Sequence, residues 1–352
     1  MKKLFFLCVL GVLISSCKNE NDNAITIEPF IGIAVDTLLT DSISIRAIAI
    51  DSATIWYAAT KGKYGYLNLK TDKGLNGYVA KDTLQLEFRS IAKTTNHIFI
   101  LTVGNPALLY RISKDGSQID LVYQEDHDKV FYDSMQFWND NEGIAMGDPT
   151  GECLSVIITR DGGSTWKKLS CEELPETVEG EAAFAASNSN LVVKSDHAWM
   201  VSGGKKARVF HSADKGKTWK VRKTPIVQGE AMTGIFTADF YDTENGFVAG
   251  GNYDKPGQNF KNKAITHNGG KRWKLIADKT GFGYASCVQY VPNSNAQALV
   301  TVGASGLHYS SDSGKNWKQL STDKDLFTIR FMNDSTAIAA GKNKIIRIKF
   351  QK

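Results

Sequence analysis

The chain has 352 residues, 42% of them hydrophobic and 22% charged, which is enough to bury a substantial core. Its formal net charge is +5, but the charges are scattered, with no basic stripe, and this argues against nucleic acid as a partner. The six histidines show no H-E-x-x-H or comparable metal spacing. No G-x-S-x-G occurs, and no G-x-G-x-x-G follows a strand pattern, so the sequence predicts neither a metal site nor a cofactor.

At the start of the chain, Lys2 and Lys3 precede an apolar stretch from Leu4 to Ile14. The stretch is too short to span a bilayer as a helix and reads as a signal peptide over residues 1–16. It ends in Ile14-Ser15-Ser16-Cys17, which resembles the lipobox of bacterial lipoproteins. That resemblance implies cleavage before Cys17 and lipidation of its thiol, so the protein would be held on the cell envelope as an outer-membrane lipoprotein, periplasmic or surface-exposed. Loss of Lys2 and Lys3 would leave a net charge of +3. Residues 17–23 are polar and predict a flexible tether. Its acidic character is similar to the surface-export signals of Bacteroidetes lipoproteins. Residues 24–352 contain no second long apolar run and are expected to form one domain.

Four segments of that domain follow one pattern: TRDGGSTW at 159–166, SADKGKTW at 212–219, THNGGKRW at 266–273 and SSDSGKNW at 310–317. A shorter copy, Ser113-Lys114-Asp115-Gly116, lacks the tryptophan. The aspartate is expected to accept hydrogen bonds from backbone amides and pin a turn. The glycine supplies positive φ, and the tryptophan packs back across the hairpin. Asp161, Asp214, Asn268 and Asp312 are therefore expected to be turn-makers, not catalytic groups.

Ahead of these hairpins a second pattern recurs: a strand, an Asn/Asp turn, and a strand rich in glycine. It reads as SMQFWNDNEGIAMG at 134–147, TADFYDTENGFVAGG at 237–251, VQYVPNSNAQALVTVG at 288–303 and IRFMNDSTAIAAG at 329–341. Degenerate copies begin at 47, 90 and 191. The seven units predict an all-β fold, a seven-bladed β-propeller. The last unit has only three strands, and a ring cannot leave an open edge. Ile25 to Leu39 is therefore expected to supply the missing outer strand and close the ring.

The four aspartate segments resemble the Asp-box, or BNR repeat, of sialidases, sortilin-type receptors and photosystem-assembly-factor-like propellers. Much of the chain, from Arg46 to Phe350, also resembles an uncharacterised subgroup of BNR-repeat proteins, through GEAAFAAS at 180–187, ARVFHS at 207–212 and GGNYDKP at 250–256. The resemblance implies a propeller without naming its chemistry. A sialidase would need three converging arginines and a tyrosine–glutamate pair, and the loops are poor in arginine.

In such a ring the aspartate turns lie on one face, and the longer loops between the second and third strands, or between blades, lie on the other. Loops on a rigid scaffold are where function concentrates. Asp148, Glu181, Arg208, Glu230, Asp254 and Tyr284 are the candidates for the mouth on that face. Asp148 and Glu181 would be a carboxylate pair for acid–base work. Arg208 would grip a carboxylate or sulfate. Glu230, Asp254 and Tyr284 would complete a ligand site, the last two contacting sugar hydroxyls and a sugar ring. The expected function is binding of a glycan or protein by a monomeric module. The alternatives are a carbohydrate-active hydrolase or lyase using the same carboxylates, and an assembly factor for an envelope complex.

Of the five cysteines, Cys8 leaves with the leader and Cys17 is the lipid site. Cys153 and Cys171 lie symmetrically about the first aspartate hairpin, which predicts a disulfide between adjacent strands. Cys287 falls in an inner strand and is expected to be a buried apolar residue.

Overall fold

The computed structural model describes residues 28–352 apart from Asp72. The signal peptide, Cys17 and the polar tether lie outside the described residues. The described chain is all β, built from antiparallel sheets arranged in sequence order around an axis. Short β-rich segments bounded by Asn, Asp and Gly turns have little choice but to pair with their chain neighbours, and successive pairs stack their apolar faces. Most of the apolar clusters accordingly draw on two successive sheets. One such cluster joins Phe99 and Leu101 to Met135, Ala145 and Ile157.

The expected count of seven blades is corrected to six: the strands form six continuous hydrogen-bonded sheets. The physical reason is the length of Gly32–Asp51. Its first half pairs with the C-terminal strand, in register Gly32↔Gln351 to Thr40↔Lys344. Its second half pairs with Thr54–Ala59, from Ile45↔Ala59 to Asp51↔Thr54. The ladder therefore runs unbroken from Leu326–Phe331 through Thr336–Gln351 and Gly32–Asp51 to Gly74–Tyr78, and the first and last sequence units share one sheet. The N-terminal segment closes the ring, with the observed pairing beginning at Gly32. Phe30 stacks on Phe350 at 4.8 Å and seals the junction.

The aspartate turns join the last two strands of their sheets in chain order. In the first, Thr165 N donates to Asp161 Oδ1 at 2.9 Å, and Gly163 N donates to Thr159 Oγ1 at 2.9 Å. The same pair of bonds recurs at Asp214 with Thr218 and Asp312 with Asn316, and at Asn268 with Arg272. At Gly163 φ is 79°, and a Cβ there would meet the Phe99 ring of the preceding sheet at 2.3 Å. Turn geometry and blade packing thus demand the same glycine. Trp166 meets Phe99 edge-on, and Trp317 does the same to Phe247. In the shorter copy, Asp115 caps Ser117, two residues on instead of four, so the hairpin closes without a tryptophan.

The Asn268 turn shows that an amide oxygen can fill the aspartate's role. Asp214→Asn should therefore unfold in urea within about 0.5 kcal/mol of wild type. Asp214→Ala should lose about 1–2 kcal/mol, because two donors on Thr218 lose their acceptor. Equal losses in the two variants would show that charge, not turn hydrogen bonding, holds the hairpin.

Candidate functional site: the axial mouth

The innermost strands converge on the axis, and six of them carry a bulge at the same level. The register slips between Ile45 and Ala47, Phe88 and Ser90, Tyr132 and Ser134, Ile235 and Thr237, Ala285 and Cys287, and Leu326 and Thr328. The extra residues are Arg46, Arg89, Asp133, Phe236, Ser286 and Phe327. A bulge bends the strand and re-aims one side chain, and here it forms a ring of side chains at one end of the axis.

The glycine-rich second strands are what permit this. Gly147, Gly250, Gly303 and Gly341 face the bulges at Asp133, Phe236, Ser286 and Phe327, where a Cβ would lie 1.7–2.6 Å from a backbone oxygen at the start of the bulged segment. The glycines visible in the sequence repeat are thus the partners of the mouth residues.

The channel below the mouth is filled. Ala183–Asn190 runs across the axis and bonds to inner strands all around it. Arg46 Nη1 and Arg89 Nη1 donate to the carbonyls of Ala186 and Ala185 at 3.1 and 3.4 Å. Asn188 Nδ2 donates to Ile91 O at 2.8 Å, and Met135 N donates to Asn188 Oδ1 at 3.0 Å. Ala238 N reaches Ser189 O at 2.8 Å. Ser187 Oγ donates to Ser286 O at 2.5 Å, and Arg330 Nη2 holds the carbonyls of Ser187 and Asn188 at 3.0 and 2.9 Å. This plug makes the mouth a floored cup instead of a pore.

Three adjoining cavities open at the cup. The axial one, about 370 Å³, is lined by Arg46, Arg89, Phe131, Asp148, Phe184, Phe236, Tyr253 and Tyr284 among others. It shares Arg46, Tyr253 and Tyr284 with a second cavity of about 300 Å³ that reaches Phe327 and Lys324. It shares Asp148 and Ala182 with a third, of about 630 Å³, that runs outward along Glu152 and Glu176–Ala182.

The cup has a charged side and an aromatic side. Phe184 and Phe236 stack with centroids 3.9 Å apart, and Tyr284 meets Phe236 and Tyr253 edge-on at 4.8 and 5.2 Å. Tyr253 is 46% exposed and presents its ring to solvent. Opposite, the Arg46 guanidinium lies 4.2 Å from the Phe327 ring centroid. No carboxylate lies within ion-pair distance of Arg46 among the described residues, and its Nε is buried without a partner. Burial, then the like charge on Arg89, pulls its pKa below the usual arginine value. Arg89 is held at Nε by Glu87 at 2.7 Å.

Two carboxyls complete the charged side. Burial pushes Asp148 up to about 6, against the opposing pull of the Ala183 amide that donates to its Oδ1 at 2.7 Å. Asp133 is fully buried with both oxygens unpartnered. Burial first, and then Asp148, raise it well above the usual carboxylate range.

The structure brings only part of the sequence-derived set together. Asp148 and Tyr284 line the cup. Glu181 and Arg208 bind each other: Arg208 Nε donates to Glu181 Oε1 at 2.9 Å and its Nη2 to Oε2. Ser202 Oγ and Val178 N take the remaining acceptor positions of a carboxylate with no exposed surface. The geometry is that of a structural clamp joining two loops. Glu230, 66% exposed, accepts from Asn252 Nδ2 on the rim, and exposed Asp254 lines none of the three cavities. Cys153 and Cys171 form a disulfide beside the outer cavity, and Cys287 is buried. Sequence reasoning missed Arg46, Arg89, Asp133, Phe236 and Phe327, because they sit in strands while attention went to loops. For Asp133, Phe236 and Phe327 the signal was a glycine in the facing second strand (Gly147, Gly250 and Gly341); Arg46 and Arg89 have no such glycine opposite.

No family model matches the sequence, and no curated protein does. Among solved structures, YCF48 bound to D1 peptide is similar over 91% of this chain and 97% of that one, with TM-score 0.64 and 12% identity. A streptogramin B lyase is similar over 92% of this chain and all of that one, with TM-score 0.66 and 13% identity. The GH74 xyloglucanase from Xanthomonas campestris is similar over 89% of this chain but 53% of its own, with TM-score 0.65 and 10% identity. At these identities the likeness is one of fold. The chain is an all-β propeller, of an architecture shared by binding proteins, a lyase and a hydrolase.

Folding holds Asp148 in its protonated form, so its contribution to stability is complete below the unfolded carboxylate value and is lost as pH rises through about 6. Asp148→Asn keeps the shape and removes the ionisation. Measured by urea unfolding, the variant should gain about 2–3 kcal/mol relative to wild type between about pH 4 and pH 7.5. A difference independent of pH would place the carboxyl in water.

Proposed function

We propose that the protein is an envelope-anchored binding module, held through a lipid on Cys17, that takes a glycan or protein partner in the axial mouth opposite its aspartate turns. On those turns it is grouped with the Asp-box propellers. The observation that carries the reading is Arg46: a half-buried guanidinium without a carboxylate partner, braced on Phe327 and a plug carbonyl, beside Arg89 on the same rim. A buried charge is costly unless something pairs with it, and a second arginine beside it raises that cost. The arrangement fits a ligand that brings a carboxylate or similar anion, with aromatic rings across the cup to cover its apolar part. The YCF48 structure, captured with a peptide, supports a propeller of this architecture taking a protein partner and keeps the assembly-factor version of binding in view.

A hydrolase or lyase is the second reading, favoured by Asp148. A carboxyl titrating near 6 at the junction of two cavities has the properties of a general acid. Glu181 is not its partner in that reading, since Arg208, Ser202 and the Val178 amide already engage both its oxygens.

The binding reading is tested with D-glucuronate as a carboxylate probe and D-glucose as its neutral counterpart. At about ten times its Kd, glucuronate should stabilise the full chain by about 1.4 kcal/mol through linkage, seen as a rise in Tm that glucose does not produce. Arg46→Gln should remove the rise. An undiminished rise in Arg46→Gln would move the anion site away from the mouth.

A further inference from the structure

The three cavities are contiguous, and their chemistry changes along the line. At the axis stand Arg46, Arg89 and the half-exposed Tyr253 ring. Asp148 and Ala182 belong to both the axial and the outer cavity, so no wall separates them. Beyond them the outer trough is the largest of the three, about 630 Å³, and its ionisable lining is mostly acidic: Glu152, Glu176 and Glu179, with Lys129 at the side. Its long wall is fixed in place. The Cys153–Cys171 disulfide, the Cys153↔Glu176 bridge and the Glu181–Arg208 clamp tie both of its loops to the body.

We infer that the ligand of the mouth is a linear heteropolysaccharide, with an acidic sugar unit seated on Arg46 and Arg89 and neutral units running outward past Asp148 along the trough. This rests on the binding reading above and adds the class of ligand and its direction. A single anionic molecule would fill the axial cavity and leave the trough, the more rigidly built part, unused. An acidic unit in the trough would meet Glu152, Glu176 and Glu179, whereas hydroxyl groups would donate to them. An extended peptide needs a run of free backbone donors or a strand edge, and along this wall several amides in succession are already engaged. Thr177 N is bonded to Glu152 O, Glu181 N to Val178 O, Val178 N to the Glu181 carboxylate and Ala183 N to Asp148. What the trough offers instead are the carboxylate acceptors of Glu152, Glu176 and Glu179, which sugar hydroxyls can donate to, while the aromatic faces lie in the axial cavity.

The experiment is calorimetric titration of the full chain with four probes: a hexasaccharide alternating glucuronate with neutral hexosamine, the corresponding disaccharide, hexagalacturonate, and a six-residue peptide with an acidic C-terminal end and two lysines. The alternating hexasaccharide should bind at least ten-fold tighter than the disaccharide and than hexagalacturonate. Glu179→Gln, a change at an exposed residue, should tighten hexagalacturonate several-fold and leave D-glucuronate unchanged. Arg46→Gln should weaken every saccharide at least ten-fold; Tyr253→Ala, also at an exposed position, should weaken them should Arg46→Gln fail to fold.

Affinity independent of length would remove the trough from the site, and equal binding of hexagalacturonate would overturn the charge partition. Tighter binding of the peptide would overturn the ligand class. In all three cases the mouth reading survives if Arg46→Gln still abolishes binding. Absence of saccharide binding overturns this inference alone if glucuronate still stabilises the wild type but not Arg46→Gln. It takes the mouth reading with it if glucuronate stabilises both equally.

Discussion

The Ala183–Asn190 segment is the constraint on which the mouth depends. A ring of radially packed sheets leaves an axial channel whose innermost strands each have one unpaired edge, with amides and carbonyls that must find partners. Water could serve them. Here a stretch of small residues does, and its composition explains how it fits: Ala185, Ala186, Ser187, Asn188, Ser189 and Asn190 are short enough to lie across the axis and rich enough in donors and acceptors to meet several strands. All six are buried. The segment also fixes the two mouth arginines from below, because Arg46 and Arg89 donate to its carbonyls. Arg46, held by a backbone oxygen alone, keeps its full charge for whatever arrives above, whereas Arg89 shares its charge with Glu87.

The bulges determine which side chains reach that floor. In a regular strand, residues alternate between faces packed on neighbouring sheets, and none points along the axis. One extra residue in six inner strands breaks the alternation at a common height. At four of the six a glycine in the second strand is the steric condition for it, since at Gly147, Gly250, Gly303 and Gly341 a side chain would collide with the backbone at the start of the bulged segment. Sequence around the mouth is thereby freed from the demands of the core. Arginine, aspartate, phenylalanine and serine all occupy the bulge position without disturbing the apolar clusters on either side.

This division explains what was legible in the sequence. Turn chemistry is local, so the Ser/Thr-x-Asp-x-Gly-x-x-Trp segments announced hairpins, and the hairpins announced radial sheets. Ring closure was legible because the last unit lacked a strand and the N-terminal segment had the right composition. The number of sheets was not, because it depends on whether Gly32–Asp51 breaks between its two partners, and no proline or glycine interrupts it after Gly32. At the site, Asp148 and Tyr284 were found because they flank loops. Arg46 and Arg89 were missed because an arginine in an apolar strand pattern reads as an edge residue until the register slip beside it is known. Glu181 and Arg208, expected to face a ligand, face each other instead. A sequence separation of 27 residues hides such a clamp.

The carboxyls at the mouth appear at first to oppose its purpose, since two acids beside two arginines should neutralise the site. Burial resolves this. Asp133 occupies the bulge next to that of Arg89 in ring order, and an ionised Asp133 would compete for that guanidinium. It has no hydrogen-bond donor to stabilise a negative charge, and Asp148 adds repulsion, so its pKa is raised well above the usual carboxylate range. Arg89 acts on it in the opposite sense, as its only attractive charge, and does not prevail against complete desolvation. Complete desolvation and repulsion from Asp148 therefore disfavour a negative charge on Asp133, and its competition for Arg89 is reduced. The apolar packing that excludes water from Asp133 thus serves the proposed anion site alongside the arginines.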